Sequence, residues 1–318
     1  MAVSDVLAPQ FTNEEVAISH LEASRWPDEV SCPICGSTAV CRMAGKTQAG
    51  YFQCNDCREK FTYRTGTVME RSHIPVHKWL LAIHLLSASK KGMSAHQLHR
   101  MLGITYKSAW FLAHRIREAM ADKAPTPLGG EGKSVQADET YYGNTSKRAK
   151  GYRKGHRHKE QVVALVEPKG RVRAVHVKTA TTETVREILV TNVHRSSELH
   201  TDESRLYTEV GREFAAHKTV EHGGGGKGTG IYVGKDGATT NAAENFFGIF
   251  KRGTVGTYHK CEAQHLARYV AEFEFRFNHR TGLGMNDKMR AEVLLKGVEG
   301  KRLTYRIPRQ NQEQKTGG

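Results

Sequence analysis

Ser134-Val135-Gln136-Ala137-Asp138 is an apolar strand that finishes on a carboxylate, and two further β-like runs follow it, Gln161-Val162-Val163-Ala164-Leu165-Val166 and Val172-Arg173-Ala174-Val175-His176-Val177. Three such runs in succession predict an antiparallel meander. Beyond them the period changes: a helix from Thr182 to about Val190, a short strand Glu198-Leu199-His200-Thr201-Asp202, a helix near Ser204 to Val210, a strand from His217 to Glu221, and a further helix from Asn241. Strands and helices therefore mix within one domain.

The order three strands, helix, strand, helix, strand, helix is that of an α/β ribonuclease H-like core, a mixed sheet flanked by helices. Two aspartates, Asp138 and Asp202, close apolar strands, where a side chain is held rigidly. Glu244 enters on the helix Asn241-Ala242-Ala243-Glu244-Asn245-Phe246-Phe247-Gly248-Ile249-Phe250-Lys251-Arg252, off the apolar face made by Phe246, Phe247 and Phe250. At 3.6 residues per turn, Glu244, Gly248 and Lys251 share one stripe. A glycine inside a helix costs about 1 kcal/mol relative to alanine, so Gly248 implies that something bulky, such as a DNA backbone, approaches there. Clustered carboxylates repel one another unless a cation sits between them, and hard Mg²⁺ or Mn²⁺ takes oxygen ligands. Asp138, Asp202 and Glu244 are thus the candidate catalytic residues, holding two ions.

The first half of the chain carries different chemistry. Cys32-Pro-Ile-Cys35 and Cys54-Asn-Asp-Cys57 are two knuckles at the spacing of a four-cysteine Zn²⁺ site, with Tyr51-Phe52-Gln53 and Phe61-Thr62-Tyr63 as strands about the second. Cys41 and Cys261 have no partner at ligand spacing and read as ordinary thiols. Upstream, Thr12-Asn13-Glu14-Glu15 has a capping-box pattern before a helix bearing Val16, Ala17 and Leu21, which Trp26-Pro27 ends. After the ribbon, Trp79, Leu80, Ile83 and Leu86 recur at helical spacing. Ser94 then caps a helix with Ala95, Leu98 and Leu102, Gly103 breaks it, and Thr105 opens another with Ala109, Leu112, Ile116 and Met120 on one face. Helix, glycine turn and helix match a helix-turn-helix, and Lys107, His114, Arg115 and Arg117 on its second helix are placed to face phosphates. Pro125, Pro127, Gly129 and Gly130 mark a linker. The expected divisions are 1–70 (helix and ribbon), 71–127 (helical module), 128–299 (catalytic core) and 300–318 (polar, basic tail without packed structure).

The formal charge of +15, from 48 Lys+Arg against 33 Asp+Glu, calls for a polyanionic partner. A run from Gly143 to Lys159 adds Lys147, Arg148, Lys150, Arg153, Lys154 and Arg157 without an acid, following the strand of Asp138, and would lie along DNA. No apolar run approaches the roughly 18 residues of a membrane span, and no signal pattern opens the chain, so a cytoplasmic, nucleoid-associated protein is expected. Gly223 to Gly230 is too glycine-rich for a rigid element and lacks the GK[ST] of a phosphate loop; it reads as a mobile connection. Leu266, Val270, Phe273 and Phe277 repeat on one helical face and read as core.

Taken in order, these motifs resemble the DDE-type insertion-sequence transposases with an N-terminal zinc ribbon, the group numbered fifteen ninety-five. The resemblance runs from Trp26 to about Arg280 through the four cysteines, Phe61-Thr62 to Gly66-Thr67, Lys78-Trp79-Leu80-Leu81, Asp138-Glu139-Thr140-Tyr141, Thr201-Asp202, Asn241 to Gly253, Tyr258-His259 and Glu272-Phe273 to Asn278. It implies that Asp138, Asp202 and Glu244 form the acidic triad and that Lys251 is the basic residue seven positions on, with Arg252 beside it at the DNA. It also implies cleavage and strand transfer at the inverted repeats of a mobile element by at least a dimer on double-stranded DNA. Two alternatives share much of the pattern: a zinc-ribbon DNA-binding regulator with an inactive core, and a nuclease or resolvase on the same core.

Overall fold

The computed structural model describes residues 6–45, 48, 50–143, 159–220, 234 and 237–304. The basic run from Lys147 to Arg157, including Arg153 and Lys154, the Gly223 to Gly230 stretch and the tail beyond residue 304 lie outside the described residues. Among the described residues, no helix is long and apolar enough to cross a membrane.

Helix α1 (Glu14–Arg25) is capped by Asn13, whose side chain accepts from the amides of Glu15 and Val16. The cap is Asn13 and not Thr12, one residue later than the sequence pattern indicates; Ala17 and Leu21 are buried while Val16 is exposed. Strands β1 (Val40–Arg42), β2 (Tyr51–Cys54) and β3 (Lys60–Thr62) form an antiparallel sheet in that order. The sequence reading missed β1, which is short and carries no alternation. Phe52 and Phe61 stack at 5.4 Å between centroids, with Trp26 edge-on to both.

Helices α2 (Val76–Ala88), α3 (Ala95–Leu102) and α4 (Tyr106–Met120) follow. Ser94 and Thr105 cap α3 and α4 as their positions predict, each worth about 1 kcal/mol, and Gly103 takes the left-handed conformation that ends α3. Helix α2 starts at Pro75, which offers no side-chain acceptor, and the carboxylate of Glu14 accepts the amides of Val76 and His77 instead. Ala17, Leu21, Trp79, Ile83, Leu98, Leu112 and Ile116 share one core, and Leu294, Leu295 and Val298 complete it. The last helix, α8 (Asp287–Lys296), therefore packs on this helical module, although the chain reaches it only after the second core.

The second core surrounds a five-stranded sheet in the order β6-β5-β4-β7-β8, made of β4 (Ser134–Tyr142), β5 (Glu160–Val166), β6 (Val172–Val177), β7 (Glu198–Asp202) and β8 (Ala216–Val220). Strands β4, β5 and β6 are antiparallel neighbours, and β7 pairs parallel to both β4 and β8. Every residue of β5 from Gln161 to Val166 is buried because both faces are covered. On one face Val163 and Leu165 meet α5 (Thr182–Asn192); on the other Val162, Ala164 and Val166 meet α6 (Asn241–Gly253) and α7 (Ala263–Asn278). The edge strand β6 is closed by α7: Asn278 exchanges hydrogen bonds with the Val172 backbone at 2.7 and 2.9 Å, and Glu274 accepts the Ala174 amide at 2.9 Å.

Two local expectations are corrected. Residues 204–209 form turns followed by a 3₁₀ turn at Val210–Glu213, not a helix, because Asp202 accepts the Ser204 amide and Tyr207 is drawn inward to Glu139. Asp138 does not end its strand: β4 continues to Tyr142, paired with β5, and Asp138 sits two residues beyond Gln136, the last partner of β7.

Candidate active site and zinc centre

The pleat of β4 puts Gln136 and Asp138 on the sheet face covered by α6, and the register Gln136↔His200 puts His200 and Asp202 of β7 on the same face. Each aspartate thus stands one pleat beyond a polar residue, and those two polar residues hold the third carboxylate in place. Helix α6 has no side-chain cap of its own. Gln136 Oε1 accepts the amides of Ala242 at 2.8 Å and Ala243 at 3.4 Å, filling that role from the sheet. Thr239 donates its amide to Nδ1 of His200 at 3.4 Å, which leaves Nε2 to donate to Glu198 at 2.6 Å and fixes the tautomer. Glu244 lies in the first turn of the helix so anchored, where the helix dipole favours a negative charge.

Asp138 is half-buried. Burial pushes its carboxyl up, the charges of Glu139 and Asp202 push it further and Glu244 adds to them, so that it reaches about 7 despite the amide hydrogen bond from Glu139. The three carboxylates therefore feel one another, but they are more open than the cysteine cluster: among the described residues, only the four cysteines have all their ligand atoms within 4.8 Å of one another. Glu139, which the sequence reading passed over, is also raised by burial and by Asp202, and it accepts a 2.6 Å hydrogen bond from the buried hydroxyl of Tyr207. Gln136 and His200 were likewise missed; their only signal is the repeated spacing in Gln136-Ala137-Asp138 and His200-Thr201-Asp202.

Along α6, the Arg252 guanidinium folds back over Gly248: outside the local helix backbone and its two chain neighbours, a Cβ built at Gly248 would meet only Arg252 Nη2, at 3.7 Å, among the described residues. Ordinary contact at that distance means that packing within the protein does not require a glycine. Gly248→Ala is accordingly expected to stabilise the fold by about 1 kcal/mol and to weaken DNA binding, measured by urea denaturation and fluorescence anisotropy; unchanged affinity would remove the assignment of this stripe to DNA. Lys251 and Arg252, neighbours in sequence, diverge into separate clefts. Lys251 lines one of about 670 Å³ with Tyr141, His259 and Lys260, and Arg252 lines another of about 480 Å³. His259 has φ +57°, uncommon for a residue other than glycine.

Arg115 and Arg117 do not face phosphates. Arg115 is buried and donates to the Glu70 and Leu303 carbonyls. Arg117 is buried against Glu272 at 2.6 Å, and Glu272, fully buried, also pairs with Arg276 and accepts from Tyr258. His114 is buried as well. The exposed part of α4 is its start, at Tyr106 and Lys107.

In the ribbon, Cys32 Sγ and Cys57 Sγ lie 3.7 Å apart and Cys35 Sγ and Cys54 Sγ 3.6 Å apart. A tetrahedral ion with Zn–S bonds of about 2.3 Å needs sulfurs roughly 3.8 Å apart, so these thiolates fit structural Zn²⁺. Cys41 is exposed on β1 and Cys261 is buried, both outside the cluster.

The structure thus joins a sheet-borne acidic face to a four-cysteine ribbon, and comparison with known families places that combination. Residues 127–278 match the ISXO2-like transposase domain and residues 12–60 the transposase zinc-ribbon domain, both of the IS1595 group. The chain belongs to the IS1595 group of DDE transposases. It is 27% identical over 282 residues, 84% of this chain and 91% of the other, to a Halobacterium salinarum protein described as an uncharacterized protein in transposable element ISH50. A chain in the cryoEM structure of the simian T-cell lymphotropic virus intasome in complex with PP2A regulatory subunit B56 gamma overlaps 56% of this chain and 63% of its own at 15% identity, with a TM-score of 0.29, too loose a superposition to bear on the fold.

Proposed function

We propose that this protein is a polynucleotidyl transferase that cuts a phosphodiester at the ends of an insertion sequence and joins the freed 3′-hydroxyl to target DNA, on a ribonuclease H-like core. The observation that carries this reading is the gathering of Asp138, Asp202 and Glu244 about one sheet face, with Gln136 and His200 each one pleat behind an aspartate, Gln136 holding the first turn of the helix of Glu244 and His200 the residue before its N-cap. The sheet order, with three antiparallel strands and two parallel additions beside the first, supports the core assignment.

The donor set fits hard divalent cations: three carboxylates, one of them driven up by its neighbours, are relieved by positive charge. Two Mg²⁺ or Mn²⁺ ions bound there would activate the attacking oxygen and stabilise the leaving one. The chain's own residues supply the rest. Gln136 and His200 keep Glu244 in register with the aspartates, and Lys251 and Arg252 neutralise phosphates on either side of the helix. Cleavage and joining are both in-line displacements at phosphorus, so one site serves both. The ribbon, together with the exposed start of α4 at Tyr106 and Lys107, binds the terminal repeats. Two ends must be handled together, which calls for at least a dimer on DNA.

The test is incubation of the zinc-loaded protein with Mg²⁺ and DNA carrying the inverted repeats that flank its gene. Nicks at the repeat ends and products joined to target DNA are expected. Cutting without joining would leave a nuclease; binding without cutting would leave a regulator.

A further inference from the structure

The cleft that receives Arg252 lies where the helical module meets the second core, between the end of α2, the outer face of α6, α7 and the start of α8. Its lining includes five cations, Lys90, Arg252, Arg276, Arg280 and Arg290, against one carboxylate, Asp287. Part of that charge is answered within the protein: Arg276 pairs with Glu272, and Arg290 with Asp287 at 2.8 Å. Arg280 is not answered. It donates to the carbonyls of Gly170 and Phe277, no carboxylate reaches it among the described residues, and burial alone lowers its pKa. A partly buried guanidinium with only neutral partners favours an incoming anion.

The floor is apolar, made by Ile249, Phe273 and Phe277, and the Arg280 guanidinium lies on Phe277 at 4.1 Å, a planar platform of the kind on which bases stack. A volume of about 480 Å³ falls within the range of small-ligand sites. Asn245, Ile249 and Arg252 lie along one stripe of α6, and Asn245 directly follows Glu244, about 100° around the helix, so the cleft and the acidic face share the first turn of α6.

We propose that this cleft receives one unpaired nucleotide of the DNA strand held at Asp138, Asp202 and Glu244, with its base on the apolar floor and its phosphate among Lys90, Arg252 and Arg280. The assignment rests on the function proposed above. A paired nucleotide, stacked and hydrogen-bonded in a duplex, does not reach such a floor; an unpaired one does so at little energetic cost.

The full-length zinc-loaded protein, without added Mg²⁺, is titrated into a blunt duplex and into the same duplex with one unpaired terminal 2-aminopurine nucleotide. The unpaired form should bind about tenfold tighter and change its emission on binding. Ile249→Trp, which fills the cleft, and Lys90→Ala, a change at its exposed rim, should each bring the two affinities within about twofold, the blunt duplex being bound as before. Equal affinity of the unaltered protein for both duplexes, or a preference that survives in a folded Ile249→Trp variant, would overturn the inference while leaving the transposase reading intact if end cleavage persists. Free 2-aminopurine nucleotide bound as tightly as the unpaired duplex would reassign the cleft to a mononucleotide. Failure to bind either duplex would remove both readings.

Discussion

Asp138→Asn is expected to abolish end cleavage, by about a thousandfold or more, while DNA binding persists and the protein melts at a higher temperature without Mg²⁺. The two effects have one cause. Asp138 is desolvated and faces the charges of Glu139, Asp202 and Glu244, so its ionised form is disfavoured in the folded chain relative to the unfolded one. The isosteric neutral amide removes that repulsion but takes with it an anionic oxygen that a hard cation needs. A protein whose stability rises as its activity vanishes carries the signature of a functional cluster kept against the interest of the fold. Loss of activity with a lower melting temperature would point to a structural role, and retained cleavage would end the assignment of Asp138.

Glu272→Gln is expected to destabilise the protein by roughly 3–5 kcal/mol, read as a fall in the urea midpoint at unchanged slope. Burial by itself would raise the Glu272 carboxyl, but the charges of Arg117 and Arg276 outweigh it and hold it down at about 2. Glutamine leaves two buried guanidiniums facing a neutral group: among the described residues Arg276 retains only the Leu86 carbonyl as a further acceptor, and Arg117 lies at 4.2 Å over the Tyr269 ring. Since domains hold only about 5–15 kcal/mol in total, this one contact between α4 and α7 accounts for a large share. Replacing Arg117 and Glu272 together by methionine and leucine should recover part of the loss; a cost below about 1 kcal/mol for the single change would show that the network is idle.

Much of the architecture is legible from local chemistry. Ser94, Gly103 and Thr105 mark helix limits because a cap or a left-handed residue acts within three positions of itself, and the paired cysteines declare their cluster through spacing alone. The apolar run of β5 marks a strand, and Phe246, Phe247 and Phe250 correctly assign the buried face of α6. What depends on distant partners is not legible. Arg117 looks like a phosphate ligand on a helical wheel because its true partner is Glu272 on another helix. Gln136 and His200 look like ordinary strand residues until the amides of α6 arrive above them. Likewise the expected helix after Asp202 fails because Tyr207 has a better use, sealing the sheet beneath Glu139.

The packing of α8 against α2 and α4 also has a consequence for biosynthesis. The helices of this module emerge before the sheet, yet the side chains that close their core, Leu294, Leu295 and Val298, are translated after it. At about 5–20 residues per second, the nascent module waits through the synthesis of the entire catalytic sheet before it can reach its final packing. The helical module thereby completes its hydrophobic core only after every strand of the five-stranded sheet has been made, so its final packing and that of the sheet are reached together.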